Sequence, residues 1–376
     1  MIERSIYRLK ILQALERSPI CALLGPRQCG KTTLAKAIAG ERESHFFDLE
    51  SPKDQLRLQN PQLALEGLSG LVVLDEIQET PALFPVLRVL ADREGTPARF
   101  LILGSASPEL IARSSETLAG RVEFVDLHGF DLGETGADAS QRLWVRGGFP
   151  RSFLAKSEAD SVAWREGFVR TFLERDLPQY GIRVGARAMR RFWTMLAHSH
   201  GQVWNASELG RALGLSDKTV KGYLDDLTQT FMVRQLQPWF ENLGKRQVKS
   251  PKIYLRDSGL FHHLLHLGDA REIHGHPKVG ASWEGFALEQ VLRLKQTREA
   301  YFWSTQSGAE LDLLTFEGGQ RIGYEFKYSE QPRPTRSMRI AIQDLGLSAL
   351  RILCPGDAYA QLDDTIEVIG IKRFSG

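Results

Sequence analysis

The sequence predicts an α/β chain: a phosphate-loop core with a parallel sheet, then a helical lid, a winged helix and a C-terminal α/β unit. Three observations carry the prediction. The apolar run Ile20-Cys21-Ala22-Leu23-Leu24 leads into Gly25-Pro26-Arg27-Gln28-Cys29-Gly30-Lys31-Thr32, which fits G-x-x-x-x-G-K-[ST] without departure. A second apolar run, Leu71-Val72-Val73-Leu74, ends in Asp75-Glu76. Beyond residue 128 this strand–helix alternation gives way to amphipathic helices, and strands return first as a wing at 231–256 and then in the C-terminal unit.

The N-terminal stretch to Arg17 is charged and helix-periodic, with Ile6, Leu9, Ile11, Leu12 and Leu15 as its apolar side. It lacks the apolar centre and cleavage site of a signal peptide. The glycine-bounded loop follows. Gly25 and Gly30 let the backbone bring N–H groups onto phosphate oxygens, and the helix starting near Lys31 adds its positive end. Residues 25–33, with Thr33 as the last, form the candidate nucleotide loop. Lys31 would reach the β- and γ-phosphates and the Thr32 hydroxyl would ligate Mg²⁺. His45–Leu49 reads as the next strand. Asp75 closes the third and would hold Mg²⁺ with Thr32, while Glu76 would polarise the attacking water. A helix around Pro85–Asp92 leads to the strand Arg99–Ser105. Ser105 at its end can sense the γ-phosphate, or cap a turn. Arg121, after Leu118-Ala119-Gly120, is the candidate arginine finger or phosphate sensor, with Arg113 as its rival.

The predicted boundaries are 1–128 for the core, 129–200 for the lid, 201–256 for the winged helix, 257–278 for a connector and 279–376 for the last unit. In the lid, Val162–Leu177 and Ala188–His200 read as helices. Ser207 caps Glu208–Leu213 and Ser216 caps Asp217–Gln229, at helix-turn-helix spacing. Strands at Phe231–Leu236 and Lys252–Arg256 complete a wing. Lys218, Lys221, Lys245, Arg246, Lys249 and Lys252, with Arg256, are the candidate DNA contacts, although Asp217, Asp225 and Asp226 offset part of that charge. The connector histidines (His262, His263, His266, His274, His276) lack metal-ligand spacing and read as solvated. In the last unit Glu284 lies on the helix Trp283–Lys295, and Asp312, Glu325 and Lys327 lie on successive strands. Glu325 and Lys327 share one strand face. Together the four could hold a metal and cleave a phosphodiester, or form a hairpin with a cross-strand ion pair.

The bulk numbers bound these readings. The chain has 376 residues, 42% hydrophobic and 25% charged, with a formal net charge of +2. That length suggests two or three domains, and the near-neutral charge confines any nucleic-acid surface to a local patch. Cys21, Cys29 and Cys354 cannot all pair, which fits a reducing cytoplasm. No apolar run reaches the length of a membrane span.

The ordered set of motifs resembles predicted AAA+ ATPases of bacteria and archaea that carry a C-terminal domain of unknown function. Besides the loop, the set comprises Leu74-Asp75-Glu76-Ile77-Gln78, Gly104-Ser105, Leu118-Ala119-Gly120-Arg121, Gly147-Gly148-Phe149-Pro150, Phe172-Leu173-Glu174-Arg175-Asp176, Lys249-Ser250-Pro251-Lys252-Ile253-Tyr254, Asp257-Ser258-Gly259-Leu260 and Glu325-Phe326-Lys327. The last domain looks like the PD-(D/E)xK nuclease fold, with Leu311 where that name places a proline. The resemblance implies ATP and Mg²⁺ as cofactors and a homo-oligomeric ring, of about six subunits, in which a neighbour's arginine completes each site. The leading expectation is an ATP-driven motor on branched or unwound DNA. An ATP-gated, metal-dependent nuclease and a regulatory switch ATPase with a protein partner stand beside it.

Overall fold

In the computed structural model residues 2–95, 98–106, 118–240, 248–297 and 299–374 are described. They divide into two units, one comprising Met1–Gly129 with Gln179–Ile182 and Gln229–Phe231, the other the remainder.

The first unit carries β1 (Ile20–Leu24), β2 (Ser44–Asp48), β3 (Gly70–Asp75), β4 (Ala98–Gly104) and β5 (Val122–Asp126), all parallel, in the order β2-β3-β4-β1-β5. β1 is buried at every position and β3 at all but its first. That is why both read as unbroken apolar runs rather than alternating ones. Ile20, Ala22, Leu24, Val72, Leu74, Phe100 and Ile102 pack with Leu83, Phe84 and Leu87 of the helix Leu83–Ala91. β4 lies between β1 and β3, so whatever ends β4 stands between the loop after β1 and the acids after β3. The crevice at these carboxyl ends is where ligands bind in open parallel sheets. The N-terminal helix is Ser5–Arg17, and its inner stripe is Tyr7, Ile11, Ala14 and Leu15. Ile6 and Leu9 face outward instead, because a 3.6-residue period cannot place them with Ile11 and Leu15.

The second unit begins with helices, chiefly Glu158–Thr171 and Ala186–His198, with a π-helical turn at Phe172–Asp176. Two stretches singled out in the sequence meet here. The Asp257 carboxylate accepts from the Gly148 N–H at 2.8 Å and the Leu260 N–H at 2.9 Å. A Cβ on Gly147 would stand 2.2 Å from Asp257 Oδ1. These glycines therefore serve a close joint. The helix-turn-helix is present as Ala206–Leu213 and Asp217–Gln229. Asn205, not Ser207, caps the first helix, since its Oδ1 accepts from the Glu208 N–H while the Ser207 hydroxyl bonds Asp217.

Nine described strands follow: β6 (Gln202–Val203), β7 (Val233–Pro238), β8 (Lys252–Leu255), β9 (Ala300–Ser304), β10 (Glu310–Glu317), β11 (Gln320–Phe326), β12 (Ala349–Cys354), β13 (Tyr359–Gln361) and β14 (Ile366–Gly370). They form a mixed sheet in the order β13-β14-β12-β11-β10-β9-β7-β8-β6. The wing strand β7 pairs with β9 through Gln237 and Pro238, so wing and C-terminal strands are one sheet. On one face Leu311, Leu314, Leu350 and Ile352 pack with Met338, Ala341 and Leu345 of the helix Arg336–Leu345. Asp312, next to Leu311, points to the opposite face, toward Glu284 of the helix Val279–Lys295. His262 is fully buried, bonding the Val145 carbonyl at 3.1 Å and the Ser282 hydroxyl at 2.6 Å. The expectation of a solvated histidine fails there. Burial drives its pKa down to about 3, so it is neutral.

Candidate nucleotide site and C-terminal carboxylate cluster

The loop Gly25–Gly30 leaves β1 and enters the helix Lys31–Ala39 through Gly30, whose φ of 104° is glycine territory. Gly25 is required for a different reason: a Cβ there would stand 2.0 Å from the Leu127 carbonyl oxygen. Gly25→Ala is expected to displace the loop, destabilise the protein by about 1–3 kcal/mol and weaken ATP binding at least about tenfold, which is 1.4 kcal/mol. Nucleotide titration beside thermal unfolding checks it, and unchanged affinity would refute it.

The Lys31 ammonium, 4% exposed, donates to the Gly25 and Pro26 carbonyls at 2.9 and 3.0 Å and to the Ser105 hydroxyl at 2.9 Å. Ser105 spends its one proton on the Glu76 carboxylate, 3.0 Å away. The direction Lys31 to Ser105 to Glu76 is thus set by proton count. Strand alternation alone would send Asp75 and Glu76 to opposite faces. Glu76 adopts φ 55° and ψ 52°, a left-handed turn that folds its carboxylate back to Ser105. Gln78 straps both: its amide N–H donates to Glu76 and its carbonyl oxygen accepts from the Ser105 N–H. Arg27 lies 3.9 Å from Glu76 and pairs with Glu50. Thr32 bonds the Asp75 carboxyl, which burial nonetheless raises above its ordinary pKa. A hard-oxygen pair of this kind, one hydroxyl and one desolvated carboxylate, fits Mg²⁺. Arg4 braces the loop from behind by donating to the Cys29 and His128 carbonyls, both at 2.9 Å. Sequence reasoning gave roles to neither Gln78 nor Arg4. The first was visible two residues past Glu76; the second left no local signal.

Arg121 is elsewhere. Its carbonyl accepts from the Ile20 N–H, at the opening of β1, while the loop departs from the far end. One strand length, roughly 16 Å, separates the two. Its guanidinium is paired with Asp92. A sensor role toward the nucleotide of its own subunit is therefore ruled out. Arg113 lies outside the described residues.

In the second unit Lys218 and Lys221 are exposed on the second helix of the helix-turn-helix, and Lys249 is exposed before β8. Lys245 and Arg246 fall outside the described residues. Two basic residues do not face solvent. Arg256 approaches Glu289 at 3.8 Å. Lys252, only 5% exposed, cannot meet a DNA backbone. Its ammonium lies 3.5 Å from Asp312 Oδ1, 3.7 Å from Glu284 Oε1 and 3.9 Å from Glu310 Oε2. Burial opposes its charge, yet these carboxylates raise its pKa overall. Lys327 pairs with Glu325 at 2.6 Å and stands 3.8 Å from Asp312. Glu284, Asp312, Glu325 and Lys327 are thus brought together, with Lys252, Tyr254 and Glu310 as additional members. Burial, then Asp312, raises the carboxyl pKa of both Glu284 and Glu325.

In this arrangement the position a divalent metal ion would take is held by the Lys252 ammonium, so the cluster as it stands does not fit one. An ion on Asp312 would stand roughly 4 Å from the Lys252 ammonium and would have to compete with it for the same carboxylate oxygens.

Comparison with known proteins agrees with the geometry of the first unit. A family model described as "AAA domain" matches residues 17–136, and two described as domains of unknown function match 137–271 and 279–374. Uncharacterized protein Rv2008c of Mycobacterium tuberculosis is 52% identical over 369 residues, covering 98% of this chain and 84% of the relative. Uncharacterized protein Mb2031c of Mycobacterium bovis has the same identity and coverage. Among solved structures, the Walker-type ATPase PABY2304 of Pyrococcus abyssi superimposes with a TM-score of 0.51 at 14% identity, over 70% of this chain and 96% of that one. That likeness is one of fold.

Proposed function

The chain belongs to the same family as the two mycobacterial proteins and is a phosphate-loop ATPase with an AAA domain. On that premise we propose that its ATP cycle drives a motor acting on DNA in branched or unwound form. The observation that carries the catalytic assignment is the Lys31–Ser105–Glu76 chain. Lys31 exchanges loop carbonyls for β- and γ-phosphate oxygens, an exchange of neutral acceptors for charged ones. Ser105, released by Lys31, senses the γ-phosphate. Glu76 orients and polarises the attacking water. Thr32 and Asp75 would hold Mg²⁺, which when bound neutralises charge on the phosphates. Arg121 serves the nucleotide of a neighbouring copy in a homo-oligomeric ring. Among the described residues no helix is long and apolar enough to cross a membrane. A cytoplasmic setting fits the three free, buried cysteines.

The DNA assignment rests on the helix-turn-helix, whose second helix exposes Lys218 and Lys221. The test is ATP turnover with single-stranded, duplex and branched DNA, together with DNA binding across salt concentrations. Stimulation by one form supports a motor. The double change Lys218→Ala and Lys221→Ala is expected to weaken binding to all sequences alike and reduce the salt slope by about 2. The acids Asp217, Asp225 and Asp226 on the same helix favour a second reading, a switch ATPase gripping a protein partner. Turnover and ATP-dependent assembly that ignore every DNA form would select it. The nuclease reading leans on the PD-(D/E)xK resemblance and requires the Asp312–Glu325 cluster to take a metal ion.

A further inference from the structure

Lys252 sits on β8, which is paired on both sides: Lys252 is opposite Val203 of β6 and Leu236 of β7. Its backbone is thereby fixed, and its side chain is buried against the carboxylates and over the Phe302 ring, 5.6 Å from the centroid. Tyr254, two residues on and on the same strand face, donates its hydroxyl to Glu284 Oε1 at 2.6 Å. Three further oxygens are claimed in the same way. Asp312 Oδ1 faces Lys252, and Asp312 Oδ2 accepts from the Phe326 N–H at 3.1 Å. Glu325 Oε2 faces Lys327. Glu325 Oε1 is buried without a hydrogen-bond partner. The two lysines bring two positive charges to the buried Asp312 and Glu325 and the half-buried Glu284, at the place where a metal-dependent phosphodiesterase would keep its ion.

We propose that Lys252, delivered from the wing hairpin, is the resident cation of the Glu284–Asp312–Glu325 cluster, so that this cluster binds no divalent metal ion. The wing and the C-terminal strands are then tied twice, by the β7–β9 pairing and by this buried ion cluster. The inference stands apart from the ATPase and DNA assignments, since neither depends on what fills the cluster.

The test is Mn²⁺ binding to the full, nucleotide-free chain, followed by electron paramagnetic resonance. Wild type and Asp312→Asn are expected to titrate identically, any weak ion at Thr32 and Asp75 being common to both. Lys252→Met is expected to gain about one Mn²⁺ per chain, and the gain is expected to vanish when Asp312→Asn is added. Mn²⁺ should also raise the melting temperature of Lys252→Met while leaving that of wild type in place. A wild-type Mn²⁺ site lost in Asp312→Asn would overturn the proposal, and so would a folded Lys252→Met chain that takes up no additional ion. If Lys252→Met fails to fold, the comparison of wild type with Asp312→Asn still decides.

Discussion

Lys31→Ala abolishes ATP turnover, with kcat/KM falling at least about a hundredfold, the scale of removing one preorganised donor from developing charge. The physical reason is that the Lys31 ammonium is buried at the loop and bonded to Ser105, which in turn bonds Glu76. A companion variant separates binding from chemistry. Glu76→Gln keeps the Ser105 hydrogen bond through its amide oxygen but loses the charge that polarises water. It should bind ATP with wild-type affinity and turn it over at least about a hundredfold more slowly. Steady-state phosphate release and equilibrium nucleotide binding measure the two quantities. Turnover surviving in Lys31→Ala would sink the assignment of the loop, whereas turnover surviving in Glu76→Gln alone would move the water-polarising role elsewhere.

Glu289→Ala is expected to destabilise the second unit by about 3–5 kcal/mol. Glu289 is 2% exposed and lies among Arg234, Arg256 and Arg293. Removing it takes the shared carboxylate from three guanidinium groups packed round one buried site, and the loss of that compensating charge, rather than any large net gain from the native pairs, sets the cost. Burial alone would raise the Glu289 pKa, but the three arginines hold it down, from 4.5 to about 2. The folded value lies below the unfolded one, so the stabilisation is fully present above about pH 4.5 and is lost as pH falls toward 2. Chemical denaturation between pH 7 and pH 3 should show this dependence in wild type and a shallower one in Glu289→Ala. Equal stability of the two proteins at pH 7 would refute the account.

How far these sites were legible depended on how local their cause is. The loop Gly25–Thr32 and the acids Asp75 and Glu76 were readable because phosphate chemistry demands particular residues at fixed spacing, beside strands whose apolar runs announce burial. Ser105 was readable as a strand-end polar group, but its place between Lys31 and Glu76 follows from β4 lying between β1 and β3. For Arg121 the sequence left finger and sensor open, and only the strand end at which it stands removes the sensor role toward its own nucleotide. The basic wing misled most. Charge is visible in a sequence, but its direction is not. Lys252 and Tyr254 alternate onto a strand face that turns toward carboxylates contributed from residues 284 to 325, and Arg256 is drawn to Glu289.

The sequence by itself determined that the chain is α/β, that it carries a nucleotide loop with its paired acids, and that a helix-turn-helix follows at Ala206–Gln229. Local rules of spacing, capping and periodicity suffice for each. Only the tertiary structure decided that Lys31 reaches Glu76 through Ser105, that the wing continues into the C-terminal sheet, and that a lysine sits among Glu284, Glu310 and Asp312. Those depend on strand order and on which groups exclude water together, and burial of a charge is a property of the whole packing rather than of any stretch of chain.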